Sequence, residues 1–398
     1  MWELIQANKR KSTMLIIVMG ILFILVGYIF GSFYNPESGG IIGIVIAIIL
    51  WGILYLVTYS SGSKILLAVS GAKEVTKDVH PQLYNIVEEM KIASGNPHMP
   101  KVYIIDSAAP NAFATGIKPD NTAIAVTAGL IGKLNRDELQ GVIAHEMSHI
   151  VNRDIQFMTV SGIMLGVIVL ISQVFVRSLW FGGGGRYSKS SKDSGQAQLI
   201  FLVIAILAPI AAQLLYFAIS RKREYLADAS AVRFTRYPEG LAAALEKISN
   251  STAELKTANK VTAPMYIANP LKKKGAKLQD LTSTHPPISE RIRILRNIAH
   301  SADFSSYQQA FNEVKGKEST IIPAAELKES ESLNIRDASG LPLAGLTRKQ
   351  QKRDVGDLIM RVNDYSFINC PCNVRIKIPP DYKSNKVVCP RCGRKHSV

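Results

Sequence analysis

Cysteine is scarce in this sequence, and the few cysteines are confined to one end of it. Only four occur among 398 residues, and all of them lie between Cys370 and Cys392. A secreted fold held by disulfide bonds needs more cysteines, spread along the chain. The cysteine content therefore excludes that class of protein and favours a reducing compartment, with a local metal site near the C-terminus.

Acidic residues are also in short supply, because 31 Asp and Glu face 47 Lys and Arg, which gives a net charge of +16. Such an excess of basic charge suits either nucleic acid or the inner face of an anionic membrane. Hydrophobic residues make up 47% of the chain and charged residues only 20%. This composition requires very apolar stretches beside very polar ones, and the apolar stretches favour the membrane.

Four long apolar runs interrupt the polar sequence. They cover residues 14–30, 41–59, 155–181 and 199–220. A helix of about 20 residues spans the roughly 30 Å hydrocarbon core of a bilayer, so the runs predict four transmembrane helices in two hairpins. Two alternatives stay open: the first run could be a cleaved signal peptide, and the last two could form a shallow hairpin that does not fully cross.

The distribution of basic residues predicts the orientation of the chain. Lys and Arg collect before the first run, between the second and third runs and after the fourth, whereas the loop 31–40 has none. The positive-inside rule then places the N-terminus, residues 61–154 and the chain from 221 onwards on the cytoplasmic side of the inner (plasma) membrane. The basic loop between the last two runs is an exception to this pattern.

A metal-binding pattern, His145-Glu146-x-x-His149, lies within an apolar helical stretch. Residues at positions i and i+4 lie about 40° apart on one face of a helix, so both imidazoles can bind one zinc ion. Glu146 is then turned towards the open coordination position, where it would activate a water molecule as general base. The alternative, two histidines packed in a hydrophobic core, is the less specific explanation of this spacing.

A catalytic zinc ion usually has three protein ligands and one water, so a further ligand must come from elsewhere in the chain. Directly after the fourth apolar run, Glu224 and Asp228 stand one helical turn apart on a common face. Glu224 can supply the third ligand, and Asp228 can accept a hydrogen bond from a ligating imidazole. Alternatively, both are ordinary carboxylates on a helix surface, next to the basic residues 221–223.

Hydrolysis of a peptide bond also needs a group that stabilises the developing oxyanion. His285, in the sequence THPPISERI, is the first candidate, and Arg291 in the same segment is the second. A histidine followed by two prolines is equally typical of a turn or of a helix start. Spacing alone therefore leaves the role of His285 open.

Four ordered motifs carry a resemblance to a known family. They are PNAFATG (110–116), AHEMSHIVNRD (144–154), EYLADASA (224–231) and THPPISERI (284–292). In this order, with hydrophobic hairpins before and between them, they resemble the HtpX-type membrane metallopeptidases, relatives of the CAAX prenyl protease. The resemblance covers roughly residues 1–300. It implies a zinc metalloendopeptidase that cuts membrane or misfolded proteins at the cytoplasmic face, as part of membrane protein quality control.

The resemblance also implies roles for individual residues. It implies a thermolysin-like zinc site with Glu224 as third ligand and Asp228 as the acceptor that holds a ligating histidine. It further implies that Asn111 and Ala112 help to hold the substrate backbone, beside an edge strand such as 122–127 to which an extended peptide can add. A prenylated substrate is not expected, because the prenyl protease branch typically has more than four spans.

Beyond about residue 300 the sequence departs from this family. Cys370-Pro-Cys372 and Cys389-Pro-Arg-Cys392 stand 16 residues apart and resemble a zinc ribbon, in which two thiolate pairs bind one structural zinc ion. The first pair is C-x-C instead of C-x-x-C, and another metal or a redox role is the alternative. The surroundings are basic, but a solvated charged face explains this more simply than a nucleic-acid contact, so nucleic acid is not expected as a partner.

The expected fold is a mainly α membrane protein with four transmembrane helices, a cytoplasmic α+β gluzincin-like metalloprotease domain and a small β module that resembles a zinc ribbon. The expected divisions are a first hairpin (1–60), the first part of the metalloprotease domain (61–154), a second hairpin (155–220), the second part of that domain (221–317), a linker (318–365) and the ribbon-like module (366–398). Two rival functions stay open. One is a catalytically silent membrane adaptor that recruits a partner through the ribbon, and the other is a membrane-tethered nucleic-acid binder.

Overall fold

The computed structural model describes most of the chain. The described residues are 2–156, 158–159, 173, 177, 221–258, 262–270, 285–298, 301–316, 318–328, 333–339 and 348–397. The first two apolar runs lie within them. The third and fourth runs, 155–181 and 199–220, lie almost wholly outside them, so the count of four transmembrane helices stays a prediction.

The N-terminal part is a hairpin of two helices, α1 (Trp2–Tyr34) and α2 (Gly39–Val69). Among the described residues, α2 alone is both long and apolar enough to cross a membrane, and the apolar part of α1, Ile16–Ser32, is shorter. Only 11% of the most apolar window of α2 is buried. This helix therefore differs from the core helix of a soluble protein and suits a lipid environment.

Four strands form one mixed sheet in the order β1-β2-β4-β3. The strands are β1 (Ala72–Glu74), β2 (Lys101–Ile105), β3 (Ala112–Gly116) and β4 (Thr122–Thr127). β2 and β4 are parallel, and the two outer pairs are antiparallel. The predicted edge strand, 122–127, is β4, which lies in the interior of the sheet, so this prediction was wrong. The short connection 117–121 joins β3 to β4 as an antiparallel pair. Because β2 pairs with the other side of β4, β3 lies at the edge of the sheet.

Helices pack around this sheet. They are α3 (Pro81–Ala93), α4 (Ala128–Lys133), α5 (Arg136–Val151), α6 (221–235), α7 (Pro238–Ser249), α8 (Ile288–Arg296) and α9 (Phe304–Lys315). α5 is the central helix, because every residue from 137 to 150 is buried. It begins at a capping box, in which the side chains of Asn135 and Glu138 each accept a hydrogen bond from the other's backbone, and this fixes its first turn.

The sheet lies directly against the end of α2. A helix of 31 residues is about 46 Å long, which exceeds the roughly 30 Å core of a bilayer. The C-terminal part of α2 packs on the sheet, where Leu66 and Leu67 join a buried cluster with Phe113. The sheet domain is therefore held at one end of the apolar hairpin and not on a flexible tether.

The predicted linker, residues 318–365, contains two helices, α10 (Ala324–Lys328) and α11 (Arg348–Val362). α10 packs on α9, and α11 packs on α4. The contact of α11 is close, because a Cβ atom on Gly132 of α4 would collide with the side chain of Val355. The described part of this segment is thus folded against the sheet domain.

Two hairpins form the C-terminal module. The first pairs β5 (Ser366–Asn369) with β6 (Arg375–Ile378), and the second pairs β7 (Lys386–Val388) with β8 (Lys395–Ser397). Asp357 of α11 is buried, and its carboxylate pairs with Arg375 at 2.9 Å and with Lys377 at 2.7 Å. These ion pairs connect the module to α11.

Candidate active site

The two histidines of the metal-binding pattern lie side by side on α5. Their ring centroids are 4.9 Å apart, and both side chains are buried. Nε2 of His145 lies 3.6 Å from Oε2 of Glu224, and Nε2 of His149 lies 3.6 Å from Oε1 of the same residue. Helices α5 and α6, which are distant in sequence, thus bring the three candidate ligands together.

The geometry of this group fits a zinc ion. Its three ligand atoms lie within 4.8 Å of one another. Two atoms bound tetrahedrally to zinc at about 2.1 Å lie about 3.4 Å apart, close to the two separations of 3.6 Å. Oε2 of Glu224 is buried and has no hydrogen-bond partner in the described part of the chain. A buried carboxylate oxygen needs a partner, and an ion between the three residues would provide one.

Each histidine is held by a carboxylate at its other ring nitrogen. Nδ1 of His145 lies 3.0 Å from Oδ1 of Asp228, and Nδ1 of His149 lies 3.1 Å from both oxygens of Asp154. An Nδ1–H group that donates to a carboxylate leaves the lone pair of Nε2 for a metal ion. Both imidazoles therefore present Nε2 to the same point.

Asp154 belongs to the candidate site by its position, although the sequence analysis gave it no role. It reaches His149 because Arg153 has a φ of 58°, in the left-handed region, which turns the chain back beside the end of α5. The side chain of Asp154 is fully buried, and its backbone carbonyl accepts a hydrogen bond from Arg223 at 3.3 Å. The acidic residue five positions after His149 was the available signal, but that spacing does not place two side chains on one face of a helix.

Arg291 is fully buried and holds Asp228. Its Nε and Nη2 donate to the two oxygens of Asp228 at 2.8 Å and 2.7 Å, and its Nη1 donates to the carbonyl of Ile267 at 3.3 Å. Nη1 also lies 3.4 Å from Oε2 of Glu224, without hydrogen-bond geometry. A two-point pair of this kind fixes the plane of a carboxylate, so Arg291 orients the group that orients His145.

Glu146 follows His145 on α5 and is only 2% exposed. Its carboxylate lies beside the peptide N–H of Ala114, in the edge strand β3, which favours the ionised form. Burial raises the pKa of Glu146 and prevails over the two neighbouring histidines, which lower it. A carboxylate with a raised pKa is a stronger proton acceptor, as a general base requires.

The carboxylates make the centre favourable for positive charge. Burial lowers the pKa of His149, but Asp154 and the two glutamates of the site outweigh burial and raise it to about 9. Burial raises the pKa of Glu224, but the neighbouring His285, His145 and Arg291 outweigh burial and hold this pKa well below its usual value. Glu224 therefore stays ionised, as a metal ligand must.

His285 lies at the same centre, in the segment just before α8. It is 4% exposed, and its Nε2 lies 3.6 Å from Oε2 of Glu224. Burial lowers the pKa of His285 to about 4, so the imidazole is neutral at pH 7. A neutral imidazole still has one N–H group that can donate a hydrogen bond.

Asn111 and Ala112 lie at the start of the edge strand β3. The side chain of Asn111 donates to the carbonyl of Ala268 at 2.8 Å, and the carbonyl of Ala112 accepts from the N–H of Ile267 at 2.9 Å. At this end, the outer edge of β3 is therefore occupied by the chain itself. From there β3 continues towards Glu146, whose carboxylate lies beside Ala114, the middle residue of the strand.

The four cysteines form a second compact group. Sγ of Cys370 lies 3.5 Å from Sγ of Cys392, and Sγ of Cys372 lies 3.5 Å from Sγ of Cys389. All four sulfur atoms lie within 4.8 Å of one another. This arrangement is compatible with a metal ion held by four thiolates.

Known proteins resemble this chain over most of its length. Residues 77–299 match the model of peptidase family M48. A protease HtpX homolog from Dictyoglomus thermophilum is 47% identical over 295 residues, which are 74% of this chain and 94% of that protein. Another from Streptococcus gordonii is 43% identical over 302 residues, 75% of this chain and 100% of that protein. The crystal structure of S. mikatae Ste24p covers 73% of this chain and 66% of that one at 20% identity, with a TM-score of 0.38, which is too low to support a conclusion.

The family match ends at residue 299, so residues 300–398, the C-terminal extension, lie outside it. Within the match are all the candidate residues of the His-His-Glu centre, whereas the four cysteines belong to the extension. The match covers more than half of the chain, and the relatives align over nearly their whole length. The chain therefore belongs to peptidase family M48 and is a membrane zinc metalloprotease.

Proposed function

We propose that this enzyme is an endopeptidase whose catalytic zinc ion is held by His145, His149 and Glu224. The observation that carries the proposal is the convergence of two Nε2 atoms and one carboxylate on a single buried point. Three protein ligands leave one coordination position for water or substrate, as is typical of catalytic sites. When bound there, zinc supplies Lewis-acid chemistry, since it acidifies water and polarises a peptide carbonyl.

Glu146 moves the proton in this proposal. Its carboxylate lies beside the N–H of Ala114 and near the proposed ligands, where it takes a proton from the attacking water. The same carboxyl group then donates this proton to the nitrogen of the leaving amine. The raised pKa of Glu146 suits both steps, because the carboxylate gains the proton readily and still releases it to a more basic amine.

His285 is the proposed donor to the oxyanion, and Arg291 is proposed to act through another residue. A pKa of about 4 keeps His285 neutral at pH 7, so it can offer an N–H group without adding a charge beside the metal. Arg291 was an alternative oxyanion donor, but its Nε and Nη2 are both committed to Asp228. We therefore assign it a positioning role.

An extended peptide substrate is proposed to pair with the outer edge of β3. Asn111 and Ala112 shape one end of this edge, through their bonds to residues 267–268. A peptide paired further along β3 would pass beside Glu146, because the carboxylate of Glu146 lies next to Ala114 of this strand. The proposed substrates are membrane or unfolded proteins, cut in the course of membrane protein quality control.

The proposed topology is a multi-pass protein of the plasma membrane with four spans and a cytoplasmic catalytic domain. The apolar hairpin of α1 and α2 supports the first two spans. The lengths of the runs 155–181 and 199–220 support the other two. The basic residues after the second and fourth runs support the cytoplasmic placement of the domain.

The C-terminal module is proposed to bind a second, structural zinc ion through Cys370, Cys372, Cys389 and Cys392. Two short sulfur separations and the left-handed residues Asn373 and Gly393, one after each cysteine pair, support a knuckle at each hairpin. Four thiolates leave no open position, as in structural sites.

Substitution of Glu146 by Gln tests the catalytic proposal. Glu146→Gln is expected to keep its zinc, while cleavage of an unfolded protein in detergent falls by about 10²–10⁴-fold, because an amide cannot accept the proton. Glu88→Gln makes the same change at an exposed position of α3 and should cleave like the wild type. Equal cleavage by Glu146→Gln would remove Glu146 from the mechanism, and a zinc-loaded wild type without cleavage would favour the silent adaptor.

Substitution of Cys389 by Ser tests the structural site. Cys389→Ser is expected to bind one zinc ion per chain where the wild type binds two, because serine is a poor zinc ligand. Cleavage of a short peptide should remain. A variant that still binds two zinc ions would contradict the proposal of a second site in the module.

A further inference from the structure

A short segment of the C-terminal extension lies across the two helices that carry the proposed metal ligands. We call residues 333–339 the strap. It is fixed to the start of α9, where the N–H of Ala302 donates to the carbonyl of Leu333 at 2.7 Å and Ser301 forms a β-bridge with Asn334. The strap lies outside the family match, which ends at residue 299, so the family alone assigns it no role.

Arg336 of the strap closes the C-terminal end of α6. Its peptide N–H donates to the carbonyl of Arg236 at 2.9 Å, and its Nε donates to the carbonyl of Thr235 at 2.9 Å. The last carbonyl groups of a helix lack partners within the helix and carry partial negative charge. The peptide N–H of Arg336 satisfies one of these carbonyl groups and its guanidinium satisfies the other. The guanidinium is held in place over the ring of Tyr237, 5.0 Å from the centroid.

The same guanidinium binds the N-terminal end of α5. Nη2 of Arg336 donates to Oδ1 of Asp137 at 2.9 Å and to Oε1 of Gln140 at 2.8 Å. Ser339 adds two bonds to the other oxygen of Asp137, from its N–H at 2.9 Å and from its hydroxyl at 2.7 Å. Burial raises the pKa of Asp137, but these hydrogen bonds outweigh burial and lower it, so the pair is ionic at neutral pH.

Both attachment points lie far from the metal site along their helices. Asp137 stands eight residues before His145 on α5, and Thr235 stands eleven residues after Glu224 on α6. At 1.5 Å per residue these separations are about 12 Å and about 16–17 Å, or roughly two and three turns. Because a helix is rigid over two or three turns, the contact that fixes the remote ends also fixes the distance between the ligands.

We propose that Arg336 is a positioning residue of the protease, which holds α5 and α6 together so that His145, His149 and Glu224 meet at one metal ion. This inference rests on the metal site proposed above. The strap, which the sequence predicted to be part of a linker, would then help to position the metal ligands. One planar side chain with several donors suits this task, because it can bind two helices at once.

The test measures zinc affinity and cleavage in the full-length protein in detergent. Arg336→Ala is expected to bind the catalytic zinc about tenfold more weakly, the lower end of the effect of groups that support ligands indirectly. At saturating zinc, kcat should fall by a similar factor while KM stays within about twofold. Arg336→Lys should recover part of the loss, because an ammonium group can pair with Asp137 but cannot bind both helices.

A matched control is Arg296→Ala. Arg296 also pairs with two carboxylates, those of Glu239 and Glu246, but it joins α8 to α7, which carry none of the proposed ligands. The substitution Arg296→Ala should therefore leave zinc affinity and kcat unchanged. The same result for Arg336→Ala, with only a lower midpoint of thermal unfolding, would overturn the proposal and leave Arg336 a purely structural contact.

Two further variants keep the outcome decisive. If Arg336→Ala does not fold, Ser339→Ala removes a single bond to Asp137 and is expected to weaken zinc binding by about two- to threefold, less than the loss of a whole supporting partner. Unchanged zinc affinity in both Ser339→Ala and Arg336→Lys would overturn the proposal. Glu224→Ala in the same assay separates the two hypotheses, since wild-type zinc binding there would refute the metal site itself.

Discussion

The described part of the chain contains two groups of side chains that fit a metal ion, and they are built in opposite ways. The group of His145, His149 and Glu224 is buried and draws its members from two helices that are distant in sequence. The cysteine group is partly exposed and draws its members from two neighbouring hairpins near the C-terminus. Three ligands leave a position open for chemistry, whereas four close the site. The same ion would therefore be catalytic in one group and structural in the other.

The two groups also differ in what holds them in place. Buried carboxylates, Asp228 and Asp154, orient the two imidazoles, and Arg291 orients Asp228. The cysteines are instead held by backbone turns, such as the bond from the N–H of Gly393 to the carbonyl of Cys389 at 3.0 Å. The group of His145, His149 and Glu224 thus depends on charges brought together by the whole fold, and the cysteine group depends on local geometry.

Removal of metal ions should have the largest effect and should distinguish the two metal-binding groups by their importance for cleavage. Titration with a phenanthroline chelator is expected to abolish cleavage completely once one zinc ion per chain has been removed, because the chelator can enter through the open coordination position. Atomic absorption and cleavage rates, measured on the same samples, check this. Cleavage that persists until the second zinc ion leaves would contradict the comparison, and recovery after addition of zinc is the control for damage to the protein.

The carboxylate that holds His145 should have the next largest effect. Asp228→Asn is expected to weaken binding of the catalytic zinc or reduce activity by about 10–100-fold, because an amide carries no charge to hold the imidazole and leaves Arg291 buried without its partner. The zinc of the cysteine module should be unaffected. Asp106→Asn, at an exposed position, is the control. Activity of Asp228→Asn within twofold of wild type would contradict the role of buried charge.

The smallest effect is expected where the cysteine module meets α11. Asp357→Asn should weaken this contact by about 0.5–1 kcal/mol, as for partly exposed ion pairs, and speed hydrogen exchange in β6 without changing peptide cleavage. Burial raises the pKa of Asp357, but Lys377 and Arg375 outweigh burial and lower it. The contact is therefore fully present above the usual pKa of about 4 and is lost as the pH falls through the lowered value. Slower peptide cleavage by Asp357→Asn would show that the module acts on the catalytic domain.

Local patterns explain which parts could be predicted from the sequence. His145 and His149 lie on one helix, and their spacing alone places them on one face. The long apolar runs predicted the helices α1 and α2 by length. The third ligand was less certain, because the distance between Glu224 and the histidines depends on how α5 and α6 pack. The need of the His145–His149 pattern for a third ligand, together with the family resemblance, favoured Glu224 as that ligand over a surface carboxylate.

Tertiary contacts explain what could not be predicted. Arg336 and Asp137 are 199 residues apart, and no periodicity connects them. The prediction that 122–127 is an edge strand was wrong, because the alternation of residues does not reveal which strand pairs on both sides. The packing of 318–365 was missed for a similar reason. Its polar composition is typical of a linker, but a few buried side chains, among them Ile322 and Leu358, attach it to the domain.

The most direct test of the central claim is the zinc content of Glu224→Ala. Glu224 is the member of the catalytic group that comes from a separate helix, and its substitution leaves the helix of the two histidines intact. The account predicts that purified Glu224→Ala retains one zinc ion per chain, where the wild type has two, and cleaves no substrate. Two zinc ions per chain with normal cleavage would contradict the account.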